Sequence, residues 1–295
     1  MEEIKEIKNK EKKFAAKLSV LSNSTLTLLK LIAGVISGSI GIISEAIHSG
    51  SDLLASIITF FSVSEAAKPA DNDHQFGHGK YEDFAGFVEG LLIIFASFYI
   101  IYEAIKKINH PSLVTMDVGL GLVVMFISVV ANFFISKYLF IIAAKTDSPA
   151  LFADGEHLRT DIFSSLAVFG GLFFVRITGN PIYDPIIAIV VAVIIFSAGY
   201  KLCEEARKNL LDASLSENET SQIKEIIGEY VGDEIVSLKY LRTRKAGMRK
   251  NIELTLIVNG ELQISTAHEL CDRIELHIEE HLQNTDVTIH LEPNC

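Results

Sequence analysis

Long apolar runs recur six times in the first two-thirds of the chain, at 14–36, 40–66, 83–105, 116–142, 150–176 and 183–203. A helix needs about 20 mostly apolar residues to cross a bilayer, so the pattern predicts six membrane-spanning helices. The first run follows a lysine-rich lead of Lys5, Lys8, Lys10, Lys12, Lys13 and Lys17. It is too long for a secretory signal peptide, and more spans follow it.

After residue 212 the pattern changes. Residues 217–231 have helical periodicity, with Ser216 as the N-cap. Residues 235–244 and 250–258 alternate as strands, with a turn at Lys245-Ala246-Gly247. Residues 263–283 form an amphipathic helical pattern, and 286–291 a short strand. The order is αββαβ, a small α+β sandwich with one sheet face covered. The expected fold is therefore an all-α, six-helix membrane domain over 1–212 and a soluble α+β domain over 213–295.

Charge supports this division. The chain of 295 residues is 49% hydrophobic and 21% charged, with a formal charge of −11. The fifteen acidic and eight basic residues after 212 account for −7 of it. A nucleic-acid partner, which calls for a basic surface, is not expected. Cys203, Cys271 and Cys295 are odd in number and widely spaced, which excludes a disulfide framework and a thiolate zinc finger. Lysine and arginine concentrate on cytoplasmic ends of spans. With the N-terminus inside, the inner segments hold the lead lysines, Lys68, Lys80, Lys137, Lys145, Lys201, Arg207 and Lys208. The outer ones hold Lys106, Lys107 and Arg176. Both termini are thus expected in the cytoplasm.

Ionisable residues inside apolar spans are costly and mark sites or pathways. The second span carries His48 and Asp52, and the fifth His157 and Asp161. Each pair is spaced i, i+4, on one helix face. Two such helices side by side offer two imidazoles and two carboxylates, the four donors of a tetrahedral zinc site. The alternative is a pair of polar helix-packing contacts. Between spans two and three, Asp71, His74 and His78 can share a metal, although a solvated loop also has this composition. In the tail, His290 and Glu292 share a strand face and His268 lies on the preceding helix, a metal cluster or plain surface chemistry. His277 and His281 fall on a solvated helix face. His110, alone in a loop, is given no role.

These residues sit in longer motifs: SGSIGIISEAIHSGSD, DNDHQFGHGKYE, ADGEHLRTD, LRTRKAG and DVTIHLEP. With them the chain resembles, over nearly its whole length, the bacterial branch of the cation diffusion facilitator family of metal–proton antiporters. The resemblance implies a homodimer in the cell (inner) membrane, with six spans per protomer and a cytoplasmic domain of metallochaperone-like fold. It implies a transport site of His48, Asp52, His157 and Asp161, a loop site of Asp71, His74 and His78, and a cytoplasmic site of His268, His290 and Glu292. Lys80 and Asp212 match a charge interlock that stabilises the dimer. Positions near Lys239 and at Thr255, histidines in the best-known bacterial members, depart from the pattern, so one cytoplasmic ion per protomer is expected, completed by water or Cys295.

The resemblance implies a transporter, not an enzyme. Two histidines with two aspartates resemble the zinc-preferring members, and imidazole suits zinc where all-oxygen sites suit manganese. Cadmium, iron, cobalt and other divalent cations are further substrates in view. Zinc needs neutral histidine and ionised aspartate, so binding releases protons, and alternating access then gives zinc out for protons in, with zinc also a regulatory ligand of the tail. One rival is a membrane di-iron carboxylate oxidase built on Glu45-x-x-His48, whose nearest second copy is Asp154-x-x-His157. Another is a passive zinc channel.

Overall fold

A computed structural model describes residues 2–37, 40–109, 120–180, 182–232 and 235–294. His110 and Cys295 lie outside the described residues. The chain divides into two compact units, Met1–Arg207 and Lys208–Cys295, where the sequence pattern placed the change at 212.

The helical part comprises α1 (Glu2–Ser37), α2 (Ile40–Ala66), α3 (Lys80–Asn109), α4 (Leu120–Thr146), α5 (Pro149–Thr178) and α6 (Tyr183–Leu210), whose last residues fall past the division. α2 has the bounds of its apolar segment, while α1, α3, α5 and α6 outrun theirs because polar turns continue the same helices. Among the described residues α1, α3, α4 and α6 contain stretches long and apolar enough to cross a membrane. α2 and α5 are as long as these but carry ionisable side chains at mid-length. α2 packs on α1, α3 and α5, and α5 packs on α3 and α4.

The helix interfaces are lined by small residues. Ala15, Ala16, Ala85, Ala143 and Ala150 share a cluster with Val63, Leu139, Leu151 and Leu158. Small side chains let helix backbones approach where lipid offers no hydrophobic drive between helices. α3 and α6 approach each other closely at Gly90. A Cβ on Gly90 would stand 2.6 Å from Cys203 Sγ and 3.1 Å from the Gly199 carbonyl. Large apolar residues such as Phe95, Tyr99, Phe134 and Val193 point outward. α5 begins after the N-cap Ser148, with Pro149 at the first position, and ends on the left-handed Gly179 (φ 70°). Both choices follow helix-end chemistry.

The second unit runs α7 (Glu217–Gly228), β1 (Ile235–Ala246), β2 (Arg249–Val258), α8 (Ile264–His281) and β3 (Thr285–Pro293). The predicted αββαβ order is present. Ser216 caps α7 through a reciprocal capping box with Glu219, which satisfies two free amides. The hairpin turn lies later than predicted. Strand pairing continues to Ala246 opposite Arg249, and Gly247 turns the chain with φ 59°, a conformation that costs glycine nothing. β1 and β2 are antiparallel, and β2 and β3 are parallel, as the α8 crossover requires.

One face of this sheet is covered. Ile252, Leu254, Leu256 and Val258 of β2 pack with Ile223, Ile226 and Ile227 of α7 and Leu270, Ile274 and Ile278 of α8. Val287, Ile289 and Leu291 of β3 join the same core. The residues between them, Asp286, Thr288, His290 and Glu292, therefore stand on the opposite face.

Candidate metal centre

α2 and α5 bring the four predicted intramembrane residues together, although the two pairs are about a hundred residues apart in sequence. Asp52 is the hub. Its Oδ1 lies 3.3 Å from His157 Nε2 and 4.0 Å from His48 Nε2. One donor atom each from His48, Asp52 and Asp161 fall within 4.8 Å of one another. Two donors about 2.0–2.1 Å from a tetrahedral zinc stand about 3.3 Å apart, the separation that Asp52 and His157 show.

Burial within the quartet is graded. Asp52 and His157 are buried, while the His48 side chain is half exposed. The site thus has an open side at His48 and a closed side at His157. His157 Nδ1 is buried without a hydrogen-bond partner among the described residues. Lys30 of α1 is buried beside this region and donates to Ser49 Oγ at 2.6 Å.

The loop between α2 and α3 also gathers its predicted trio. His74 Nδ1 lies 3.6 Å from Asp71 Oδ1, and His78 Nε2 lies 3.4 Å from Asp71 Oδ2. The two imidazole rings are 4.4 Å apart. Asp71 Oδ1 accepts from the amides of His74 (2.7 Å) and Asp73 (3.0 Å). These amides, His74's first, hold its carboxyl below the usual range against the opposing effect of burial. The local turn thus presents an ionised oxygen to both rings. His78 is buried against the stacked ring of Tyr81, and its Nδ1 has no partner among the described residues.

The tail trio does not meet within one chain. His290 and Glu292 stand on the uncovered sheet face, with His290 paired to Thr255 in register. His268 is on α8, which covers the other face, and its imidazole lies 3.7 Å from Asp272. The sequence showed a shared strand face but not on which side of the sheet the helix packs. Glu292 is engaged by Lys239 Nζ at 2.6 Å, which holds its carboxyl below the usual range. His277 is half-buried rather than on a solvated face, and its Nδ1 lies 3.1 Å from the Tyr230 hydroxyl.

The expected interlock partners fall in different units. Lys80 begins α3, and Asp212 adopts φ 56° with its carboxylate 3.6 Å from Arg244 Nη1.

A second set of buried polar residues lies in the helical unit, of which Asp154 entered the sequence reading only through the di-iron alternative. Lys12 was read as one of several orienting lead lysines, yet it is buried and donates to Glu82 Oε1 at 2.5 Å. Ser148 donates to the other oxygen of Glu82. Glu89, donor-matched by Thr59, and Asp154, facing Ser56, are fully buried. The signal was there for Glu89, a carboxylate inside FVEGLLIIF. Glu45, on which the di-iron alternative begins, lies in α2, but its side chain is outside the described ones.

Residues 16–211 match the model of the cation efflux transmembrane domain, and residues 215–294 that of the cation efflux protein cytoplasmic domain. The chain belongs to the cation diffusion facilitator family. An uncharacterized transporter of Synechocystis sp. is 34% identical over 265 residues, which cover 90% of this chain and 85% of that protein. The cation-efflux pump FieF of Shewanella oneidensis is 31% identical over 281 residues, 95% of this chain and 94% of the pump. The magnetosome protein MamB of Magnetospira sp. is 28% identical over 270 residues, 90% of each. The chain is accordingly a membrane cation-efflux transporter of divalent metals, with a helical membrane domain and a small α+β cytoplasmic domain.

Proposed function

We propose that this protein exports zinc from the cytoplasm in exchange for protons, by alternating access around His48, Asp52, His157 and Asp161. The observation that carries the reading is the convergence of both His-x-x-x-Asp pairs on Asp52, with His157 at 3.3 Å and His48 at 4.0 Å. Mixed nitrogen and oxygen donors favour zinc over manganese. Cadmium, iron and cobalt are secondary substrates in this reading.

Coupling follows from the donor chemistry. Zinc displaces protons from imidazole and carboxylic acid. Protons arriving from the far side displace zinc in turn. All six long helices then span the membrane, with both termini in the cytoplasm. The protein acts as a homodimer held in part by its cytoplasmic domain and by Lys80 and Asp212. Asp71, His74 and His78 bind a second ion. A cytoplasmic ion held by His290 and Glu292 takes His268 from the second protomer, because α8 covers the other face of its own sheet.

The test is metal flux into proteoliposomes under an imposed pH gradient, with several metals compared. Zinc flux that grows with the gradient and moves protons the opposite way supports the reading. Flux indifferent to the gradient makes the protein a passive channel. Purified protein with bound iron and an oxo-bridge absorption band would favour the oxidase alternative.

A further inference from the structure

Two acidic side chains in the helical unit belong to none of the sites above. Glu89 of α3 and Asp154 of α5 are fully buried. Thr59 of α2 donates to Glu89 Oε1, and Ser56 of α2 donates to Asp154 Oδ1 at 3.4 Å. Ser56 and Thr59 are three residues apart, on one side of α2. The two carboxyl groups therefore flank the same stretch of α2, and each lies within electrostatic reach of the other. Ser56 is itself fixed by Asn23 Nδ2 at 2.5 Å and by Ser19 Oγ at 3.2 Å.

The remaining oxygens show what is missing. Glu89 Oε2 and Asp154 Oδ2 are both buried, and neither has a hydrogen-bond partner among the described residues. A buried carboxylate oxygen without a donor is unfavourable, and two like charges in a water-poor site repel. One proton answers both problems. It neutralises one carboxyl and removes the repulsion between the two. Two carboxyls that share a site share a proton in this way.

The charged groups around the pair come from three helices. From α5, His157 acts on both groups. From α1, Lys30 acts on Asp52 and Asp161 of the quartet, and Lys12 is paired with Glu82 of α3. Asp83 of α3 is also buried and adds a further acid.

We propose that Glu89 and Asp154 together hold one proton beside the metal quartet and release it when a divalent cation binds there. The placement provides the coupling. Asp154 precedes His157 by three residues on α5, and Ser56 follows Asp52 by four on α2, so the pair sits about one helical turn from the metal. Two positive charges at that distance favour the doubly ionised pair. The O–H bond of the shared carboxylic acid breaks, its electron pair stays on the carboxylate, and the proton passes to water on the side then open. The quartet's own proton release is thus supplemented by a group that never touches the metal. This inference rests on the reading of the quartet as the metal site.

The test uses the full-length protein in detergent, titrated with zinc alone. Protons released per bound zinc are measured in two buffers of different ionisation enthalpy. Infrared difference spectra record the protonated-carboxyl absorption. In the wild type, zinc binding should remove a protonated-carboxyl band. Glu89→Gln and Asp154→Asn should still bind zinc while releasing about one proton fewer per ion, and the band should shrink accordingly. A wild-type spectrum with no loss of protonated carboxyl overturns the proposal, and this measurement needs no variant to fold. Unchanged proton release in both variants, with binding still dependent on Asp52, overturns it while leaving the quartet intact. Zinc binding that survives Asp52→Ala would remove the quartet reading and this proposal with it.

Discussion

Lys12 and Glu82, 70 residues apart, form an ion pair 2.5 Å long in which each side chain is 1% exposed. Ser148 donates to the second carboxylate oxygen. The contact ties α1 to the starts of α3 and α5. Breaking a buried pair from one side leaves an uncompensated charge, at a cost of about 3–5 kcal/mol, whereas apolar replacement of both partners is often neutral. Glu82→Ala should therefore lower the melting temperature far more than the double change Lys12→Met with Glu82→Leu. Equal losses in the two proteins would show that the pair does not act as a unit.

The quartet makes the most direct prediction. Asp52 is the residue on which both histidines converge, and Asp161 contributes the second carboxylate. Asp52→Ala or Asp161→Ala should abolish zinc flux in proteoliposomes while the protein still inserts and assembles. Each change removes an anionic donor from a four-donor site. Flux at the wild-type rate from either variant contradicts the assignment.

Selectivity should respond at His48. Its side chain is half exposed, on the open side of the site, so substitution there need not disturb buried packing. His48→Asp exchanges a borderline nitrogen for oxygen and should relax the zinc preference, admitting harder cations such as manganese or larger ones such as cadmium. Competition flux assays give the answer, and an unaltered zinc preference would place selectivity elsewhere.

The loop trio is joined covalently to α2 and α3. His78 is buried against Tyr81 at the start of α3, and His74 lies against it. Replacing both histidines by alanine should slow zinc flux more than it weakens zinc affinity at the quartet. A variant that matches the wild type at every zinc concentration would reduce the cluster to a solvated turn.

The parts of this molecule legible in the sequence are those whose signal is periodic or local. The i, i+4 spacing of His48 with Asp52 and of His157 with Asp161 sets each pair on one helix face, and packing of α2 on α5 did the rest. The capping box at Ser216 needs four consecutive positions. What stayed hidden depends on which surfaces meet. Nothing near Lys12 in sequence separates it from the other lead lysines, and only the partner Glu82 makes it a core residue. The side of the sheet that α8 covers is set by the parallel β2–β3 crossover, so the distance from His268 to His290 could not be read from strand parity. Glu89 announced itself as a charge in an apolar run, but its donor Thr59 comes from another helix.

The cytoplasmic domain offers the last prediction. Residues 213–295 have their own core of Ile252, Leu254, Leu256, Ile274 and Ile278, so the segment should fold when expressed alone, and as a dimer if the proposed assembly holds. His290 and Glu292 share the open sheet face beside Thr255, where a donor is absent. Lys239 Nζ already occupies Glu292 at 2.6 Å. A metal at Glu292 must displace that ammonium, which weakens binding. Metal bound only by the folded state raises stability by mass action, so zinc should raise the melting temperature, and His290→Ala should remove the effect. Lys239→Ala frees the carboxylate and should tighten zinc by about two- to fivefold, the leverage of an exposed ion pair. Calorimetric titration should count about one ion per protomer, because a two-metal cluster needs more donors than this face presents. Two tight ions per protomer, or a Lys239→Ala affinity equal to the wild type's, would mean that zinc binds away from Glu292.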